Sequence, residues 1–157
     1  MGAKQFDYYI FIDYSEEFIG YIIIERGKIQ EIMPKISKLR HYKEVNDKNT
    51  YLKALKKSIN KNCLHNSLYS CKIKKMISTL EIYADIADFI FSNKNSKIFI
   101  SLDDNQVSNF ERMVRDIDGE KVRIIREGKL KRGSVEQRLS LIIDNLLNIE
   151  RKDEVRK

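Results

Sequence analysis

The feature that most constrains the fold is a change of period along the chain. Residues 8–12 (Tyr-Tyr-Ile-Phe-Ile) and 18–24 (Phe-Ile-Gly-Tyr-Ile-Ile-Ile) are short runs of β-branched and aromatic residues. Runs of this length and composition read as buried strands. Beyond residue 50 apolar residues recur at helical spacing, broken by two more short strand-like runs. A chain that opens on paired strands and then alternates helix with strand must bury its helices against a sheet.

The elements follow. Residues 26–28 (Arg-Gly-Lys) read as a hairpin turn, and 28–33 as a third strand stopped by Pro34, which cannot donate to a ladder. Residues 50–60 carry Tyr51, Leu52, Leu55 and Ile59 at helical spacing, and 60–71, rich in Asn and Ser, read as loop. The longest helical pattern is 72–92, with Ile73, Met76, Ile77, Leu80, Tyr83, Ala84, Ala87 and Phe91 as its apolar set. A fourth strand over 97–102 runs into Asp103-Asp104. A helix over 106–117 turns inward with Phe110, Met113, Val114 and Ile117, and a turn at Asp118-Gly119 leads to a fifth strand over 122–126. Ser134 and Gln137 form a capping box that opens a last helix reaching about residue 149; the charged tail from Arg151 is expected to fray. The pattern predicts one α/β domain over 1–157. Its mixed five-stranded sheet combines an antiparallel three-strand meander with two parallel strands, and a basic helical insert occupies about 35–72.

Charge is concentrated in that insert. The chain carries a formal net charge of +7, yet residues 35–72 hold ten Lys or Arg against only Glu44 and Asp47, leaving the rest near neutral. A segment of this kind suits a polyanion, and nucleic acid is the expected partner. Lys53, Lys56, Lys57 and Lys61 are the candidate phosphate contacts, joined by Arg126, Lys131 and Arg132 in a second basic stretch. A solvated lysine-rich face is the plainer reading of the same residues. Hydrophobic content of 42% excludes a disordered tail. No apolar run approaches the ~20 residues of a membrane span. The absence of a signal-peptide pattern and the two cysteines predict a reducing cytoplasm. Cys63, His65, Cys71 and His41 match no zinc-finger spacing.

The chemistry lies in acids at element ends. Asp13 ends the first strand, and Asp103 and Asp104 end the fourth; α/β sheets place ligands at such ends. If the strands are neighbours their carboxylates meet, and converging carboxylates repel unless a cation sits between them. Oxygen-only ligands suit Mg²⁺ or Mn²⁺. With the apolar stripe of the 72–92 helix centred near Leu80 and Ala84, Glu81 lies roughly 100° away, at the edge of the buried face. In the last helix, whose stripe is Val135, Leu139, Ile142, Ile143, Leu146 and Ile149, Glu136 lies roughly 80° from the centre and Asp144 roughly 160° away, toward solvent. Helical geometry therefore prefers Glu136 as the last acid. For any one of these acids alone, a solubilising role is the plainer reading.

In this order of elements and acids the chain resembles the ribonuclease H-like superfamily. Ile12-Asp13-Tyr14-Ser15 is similar to the family's Asp-x-Ser signature, Ile100-Ser101-Leu102-Asp103-Asp104 looks like its strand-four motif, and Glu81 precedes Asp103 across a helix-to-strand unit as the family's helix glutamate does. The resemblance covers most of the chain outside 35–72. It implies a nuclease cleaving phosphodiesters of RNA in an RNA–DNA hybrid, or of structured DNA, with two Mg²⁺ or Mn²⁺ ions. The implied catalytic acids are Asp13, Glu81, Asp103 and Glu136, with Asp104 and Asp144 as further metal ligands. The family's histidine before the last helix is absent, since that stretch reads Lys129-Leu130-Lys131-Arg132-Gly133. The final acid stays open between Glu136 and Asp144. The alternative is a non-catalytic domain of the same fold that binds nucleic acid or a protein partner; a third reading is an α/β interaction domain without metal.

Overall fold

A computed structural model describes residues 6–93, 95–118 and 123–155. Strand β1 (Tyr8–Ser15) turns at Glu16-Glu17 into β2 (Phe18–Glu25), and the two pair antiparallel from Tyr8↔Glu25 to Ser15↔Phe18. Glu16 takes a positive φ of 51° in this turn, a conformation unusual outside glycine, and Arg151 Nη1 holds its carboxylate at 3.0 Å.

The third strand lies elsewhere than expected. Residues 26–36 form helical turns, with α1 (Ile29–Ile32) between two 3-10 segments. Ile29, Ile32, Met33 and Ile36 fit i, i+3, i+4, i+7 at least as well as they fit alternation, and Ile32 and Ile36 are buried. Pro34 sits at the start of the second 3-10 segment, where its missing N–H has no intrahelical partner to lose. The strand that pairs antiparallel with β2 is β3 (Ser70–Lys75), inside the residues read as loop and helix start. Its Cys71 and Ile73 pack into the core while Lys72 alternates to the other face. Three lysines in six residues conceal a strand from an apolar-pattern reading.

The basic insert thus falls between β2 and β3. It holds α2 (Lys48–Asn62), capped by Asp47, whose side chain accepts from Thr50 N–H at 3.2 Å, and the short α3 (Leu64–Ser67). After β3, α4 (Thr79–Ser92) leads to β4 (Ser96–Ser101), α5 (Asp104–Asp118), β5 (Arg123–Arg126) and α6 (Val135–Val155). The Asp118-Gly119 turn extends beyond the described residues. Ser134 caps α6 by accepting from Gln137 N–H at 3.2 Å, while the Gln137 side chain accepts from Gly133 N–H. The helix continues through Val155, and Arg151 bonds Glu16 and Asn148; the end of the tail expected to fray lies outside the described residues.

The sheet order is β3-β2-β1-β4-β5, with β1–β4 and β4–β5 parallel, the mixed architecture the element pattern predicts. Helices cover both faces. Tyr9, Phe11, Ile22, Ile24 and Phe99 meet α6 and α2, whereas Ile10, Ile12, Ile19, Tyr21, Ile98 and Ile100 meet α4 and α5. Among the described residues no helix is long and apolar enough to cross a membrane.

Candidate acidic cleft and its basic rim

Asp13 continues the row of Tyr9 and Phe11 in β1, so it belongs to the α6 face. It is 8% exposed. Its Oδ1 accepts from Tyr14 N–H at 2.7 Å, and Ser101, its register partner on β4, bonds its side chain. Burial, and then the charges of Glu127 and Asp144, push the carboxyl well above its ordinary range despite these bonds.

Asp144 is the largest correction to the helical-wheel reading. Far from facing solvent, it is 8% exposed. Residues 139–148 are all buried, because the basic insert covers the face of α6 that the sheet does not. Arg138 donates to the carbonyls of Leu39 and Ile36 at 3.0 and 2.7 Å, and Asn145 Nδ2 donates to the Arg40 carbonyl at 3.0 Å. Tyr51 Oη donates to Asn145 Oδ1 at 2.8 Å. So clamped, the insert brings Tyr42 N–H to 2.9 Å from Asp144 Oδ2, and His41 Nδ1 to 4.0 Å from the same oxygen. Burial raises the Asp144 carboxyl even so.

Gly20 makes this approach possible. It is the register partner of Asp13 on β2. A Cβ there would lie 2.8 Å from Ile73 Cγ1, 2.9 Å from the Lys72 carbonyl and 3.3 Å from Ile143 Cδ1. Any side chain would first crowd β3, at Ile73 and the Lys72 carbonyl, and then the Ile143 side chain on α6.

Asp13 and Asp144 share a cleft of ≈ 400 Å³ with Ser15, Ser101 and Asn148; His41, Lys43, Lys48 and Arg151 supply its basic rim. Asn148 ties floor to helix: Ser15 Oγ donates to its Oδ1 at 3.1 Å, and its Nδ2 donates to the Asp144 carbonyl at 2.8 Å. Tyr42 fills the space between the rim cations, with Lys48 Nζ 5.4 Å and the Arg151 guanidinium 5.6 Å from its ring centre.

The other expected acids are placed differently. Glu81 lies on α4, across the sheet, and pairs with Lys72 at 2.8 Å; Lys72 also holds Asp85 at 2.7 Å. This lysine lowers the Glu81 carboxyl. The assumed stripe on α4 is the reason for the misplacement, since Ile82, Tyr83, Ile86 and Ile90 form the buried face, roughly 130° from Leu80 and Ala84. Asp103 caps α5, its Oδ1 accepting from Gln106 N–H at 2.9 Å. Asp104 pairs with Arg126 at 2.6 Å. Glu136 pairs with Lys97 at 3.1 Å, and Lys97 is the register partner of Tyr9 near the start of β1. Eight residues separate Glu136 from Asp144, about 12 Å along the helix. Among the described residues, no three His, Cys, Asp or Glu side chains are grouped to hold a metal ion, so the expected convergence of Asp13, Glu81 and Asp103 on one ligand set does not form.

Glu127 is the acid that sequence reasoning missed. It follows β5 directly, level with Ser101 in a row that runs Asp13, Ser101, Glu127 across the sheet. The rule that selected Asp13 and Asp103, an acid where a strand ends, also selects Glu127. Of the expected phosphate contacts, Lys53, Lys57, Lys61 and Lys131 are exposed; Lys56 pairs with Asp153 at 3.0 Å and Arg132 with Glu44 at 3.5 Å.

No protein-family model matches this chain, and no curated protein matches it in sequence. Among solved structures it is similar to ribonuclease H2 from Pyrococcus horikoshii OT3, with 12% identity and a TM-score of 0.54 over 95% of this chain and 74% of that one. It also aligns with the RNase HII of Archaeoglobus fulgidus in its complex with PCNA, with 12% identity and a TM-score of 0.49 over 97% of this chain and 75% of that one. The class is therefore defined by its fold, which is ribonuclease H-like.

Proposed function

We propose that this chain is a metal-dependent nuclease acting on nucleic-acid phosphodiesters, with its working site in the cleft between β1 and α6. One observation carries the reading: two buried carboxylates, Asp13 and Asp144, face a cleft whose rim is basic. Among the described residues no base forms an ion pair with Asp13, and its carboxyl is raised by burial and by neighbouring acids. Such a pair fits a hard divalent cation, because Mg²⁺ is commonly held by one or two carboxylates together with waters and substrate phosphates. Mg²⁺ or Mn²⁺ ions bound there would supply charge stabilisation and an activated water for in-line displacement.

The chain's own groups have definite tasks. Asp13 and Asp144 hold the cation. Tyr42 N–H and the Asn148 side chain fix the position of Asp144 and its helix. Lys43, Lys48 and Arg151 receive the phosphate backbone at the rim, and exposed Lys53, Lys57 and Lys61 on α2 extend the basic surface. Glu127 is the third acid nearest in charge to this pair, whereas Glu81 and Glu136 are engaged by Lys72 and Lys97. RNA–DNA hybrid and structured DNA are the substrates to offer first.

The test incubates the chain with hybrid, duplex, junction and single-stranded substrates in Mg²⁺, Mn²⁺ or chelator. Cleavage that requires the cation is the expected result, and cleavage that persists in chelator would reject the mechanism. The second reading, a non-catalytic nucleic-acid-binding domain, is favoured by the lack of a three-acid ligand group among the described residues. Retained binding with no cleavage of any substrate would select it.

A further inference from the structure

Helix α4 is apolar on two sides. One side, Ile82, Tyr83, Ile86 and Ile90, is buried in the sheet core. The other runs Leu80, Ala84, Ala87 and Phe91, with Ile77 beside it in the 3-10 turn that precedes the helix; Ile77 is 94%, Leu80 80% and Phe91 67% exposed. Within α4 the spacing is 4, 3, 4, the narrow seam along which two helices pack, rather than the broad face of a helix on a sheet.

We propose that a second copy of this chain packs on this seam, forming a two-fold dimer through α4. A two-fold axis places the same patch on both partners, and three properties of the patch suit it to itself. First, its size: the three large side chains expose roughly 400–500 Å² of apolar surface per copy, near the upper end for a monomer's largest patch. Doubled, and with a polar rim added, this reaches the 1,200–2,000 Å² of a standard stable interface. Second, its relief: small Ala84 and Ala87 lie between Leu80 and Phe91, so the helices can approach closely at the middle of the seam while larger side chains pack at its ends. Third, its charge: of the acids flanking the seam, Glu81 and Asp85 are paired with Lys72 at 2.8 and 2.7 Å, which leaves exposed Asp88 as the acid that two copies must hold apart or solvate. The seam lies on the face of the sheet opposite Asp13 and Asp144, so the dimer leaves both clefts open.

The test is sedimentation velocity on the full chain over a dilution series, with Leu80→Glu and Phe91→Glu compared with wild type. Wild type should sediment as a dimer at high concentration, and each variant should weaken self-association at least a hundredfold. Because both side chains are exposed, the variants should keep the wild-type circular dichroism and Tm. A second measurement does not depend on those variants. Ala84→Cys in a Cys63→Ser background should form an interchain disulfide on mild oxidation, while the same cysteine at exposed Lys57 should not. A wild type that stays monomeric at all concentrations would overturn the proposal. So would a dimer unaffected by well-folded Leu80→Glu and Phe91→Glu variants, or a failure of Ala84→Cys to cross-link in preference to Lys57→Cys.

Discussion

Two acidic regions lie on opposite faces of one sheet, and they differ in what surrounds them. On the α4 face, Glu81 and Asp85 are partly exposed and share Lys72, which lowers the Glu81 carboxyl. On the α6 face, Asp13 has no ion pair among the described residues and Asp144 has only His41 at 4.0 Å and the charge of Lys43 nearby; burial raises both carboxyls all the same. The residue types are the same. Only the second pair carries an electrostatic cost that an added cation would relieve, so a region's acid content alone does not mark a metal site. The metal site proposed above rests instead on burial that raises both carboxyls.

The largest expected difference between the regions is catalytic. Asp13→Asn and Asp144→Asn should each reduce cation-dependent cleavage by roughly 10³-fold, since loss of a metal-holding group forfeits several kcal/mol of transition-state stabilisation. Glu81→Gln should change it by only a few-fold. Equal losses in all three would erase the distinction. Single-turnover cleavage with saturating substrate gives the comparison, and unchanged nucleic-acid affinity in the variants would show that the loss is chemical.

Next in size is the contact that seats α6. Gly20→Ala should destabilise the fold by about 1–3 kcal/mol, the usual cost of forcing atoms into a packed site. Urea unfolding measures it. Gly27→Ala is the control, because a Cβ there meets nothing within 4 Å. A neutral Gly20→Ala would mean that β3 and the Ile143 side chain on α6 give way without cost and that this close approach does not fix their positions.

The pH dependence of stability should separate the regions by sign. A carboxyl raised on folding binds its proton more tightly in the native state, so its contribution to stability falls as pH rises from the unfolded pKa through the raised one. Asp13→Asn removes that loss. It should therefore raise Tm near pH 7, by roughly 3 °C for each kcal/mol relieved, and have little effect near pH 3, where both states are protonated. Glu81→Gln should act in the opposite sense: its carboxyl is lowered, so any stability it contributes is present above the unfolded pKa and disappears as pH falls through the folded one. Added Mg²⁺ should raise the Tm of wild type and not of Asp13→Asn. Thermal melts across the pH range check all of these outcomes.

The smallest effect belongs to Lys72→Met. The pair it forms with Glu81 and Asp85 is surface-exposed, and exposed pairs contribute about 0–1 kcal/mol. The substitution should leave Tm within a few degrees and cleavage unchanged; a large loss of cleavage would return Glu81 to the site.

The sequence alone determined that the chain builds a mixed sheet covered on both faces. Strand runs at 8–12, 18–24 and 97–102 are apolar on both sides, which only a sheet covered on both faces can accommodate; Asp13, read as the end of the first run, lies inside β1, which continues to Ser15. Periodicity also located α2 and α5 to within two residues, and the start of α6, whose end lies six residues beyond the expected one. It could not locate β3, whose lysines mask its alternation, and it misread 28–33 because a short apolar set fits two periods. Tertiary structure decided the rest. A hydrophobic stripe reports that some surface must cover a helix, but it does not identify the surface or say what covers the opposite side. On α4 two apolar stripes compete, and packing against the sheet selected Ile82 and Ile86 over Leu80 and Ala84. On α6 the polar side was covered as well, because Arg138 and Asn145 hold the backbone of residues 36–40 across it. That cover, formed by a segment about a hundred residues away in the chain, buried Asp144 beside Asp13, and no pattern local to the helix carries that information.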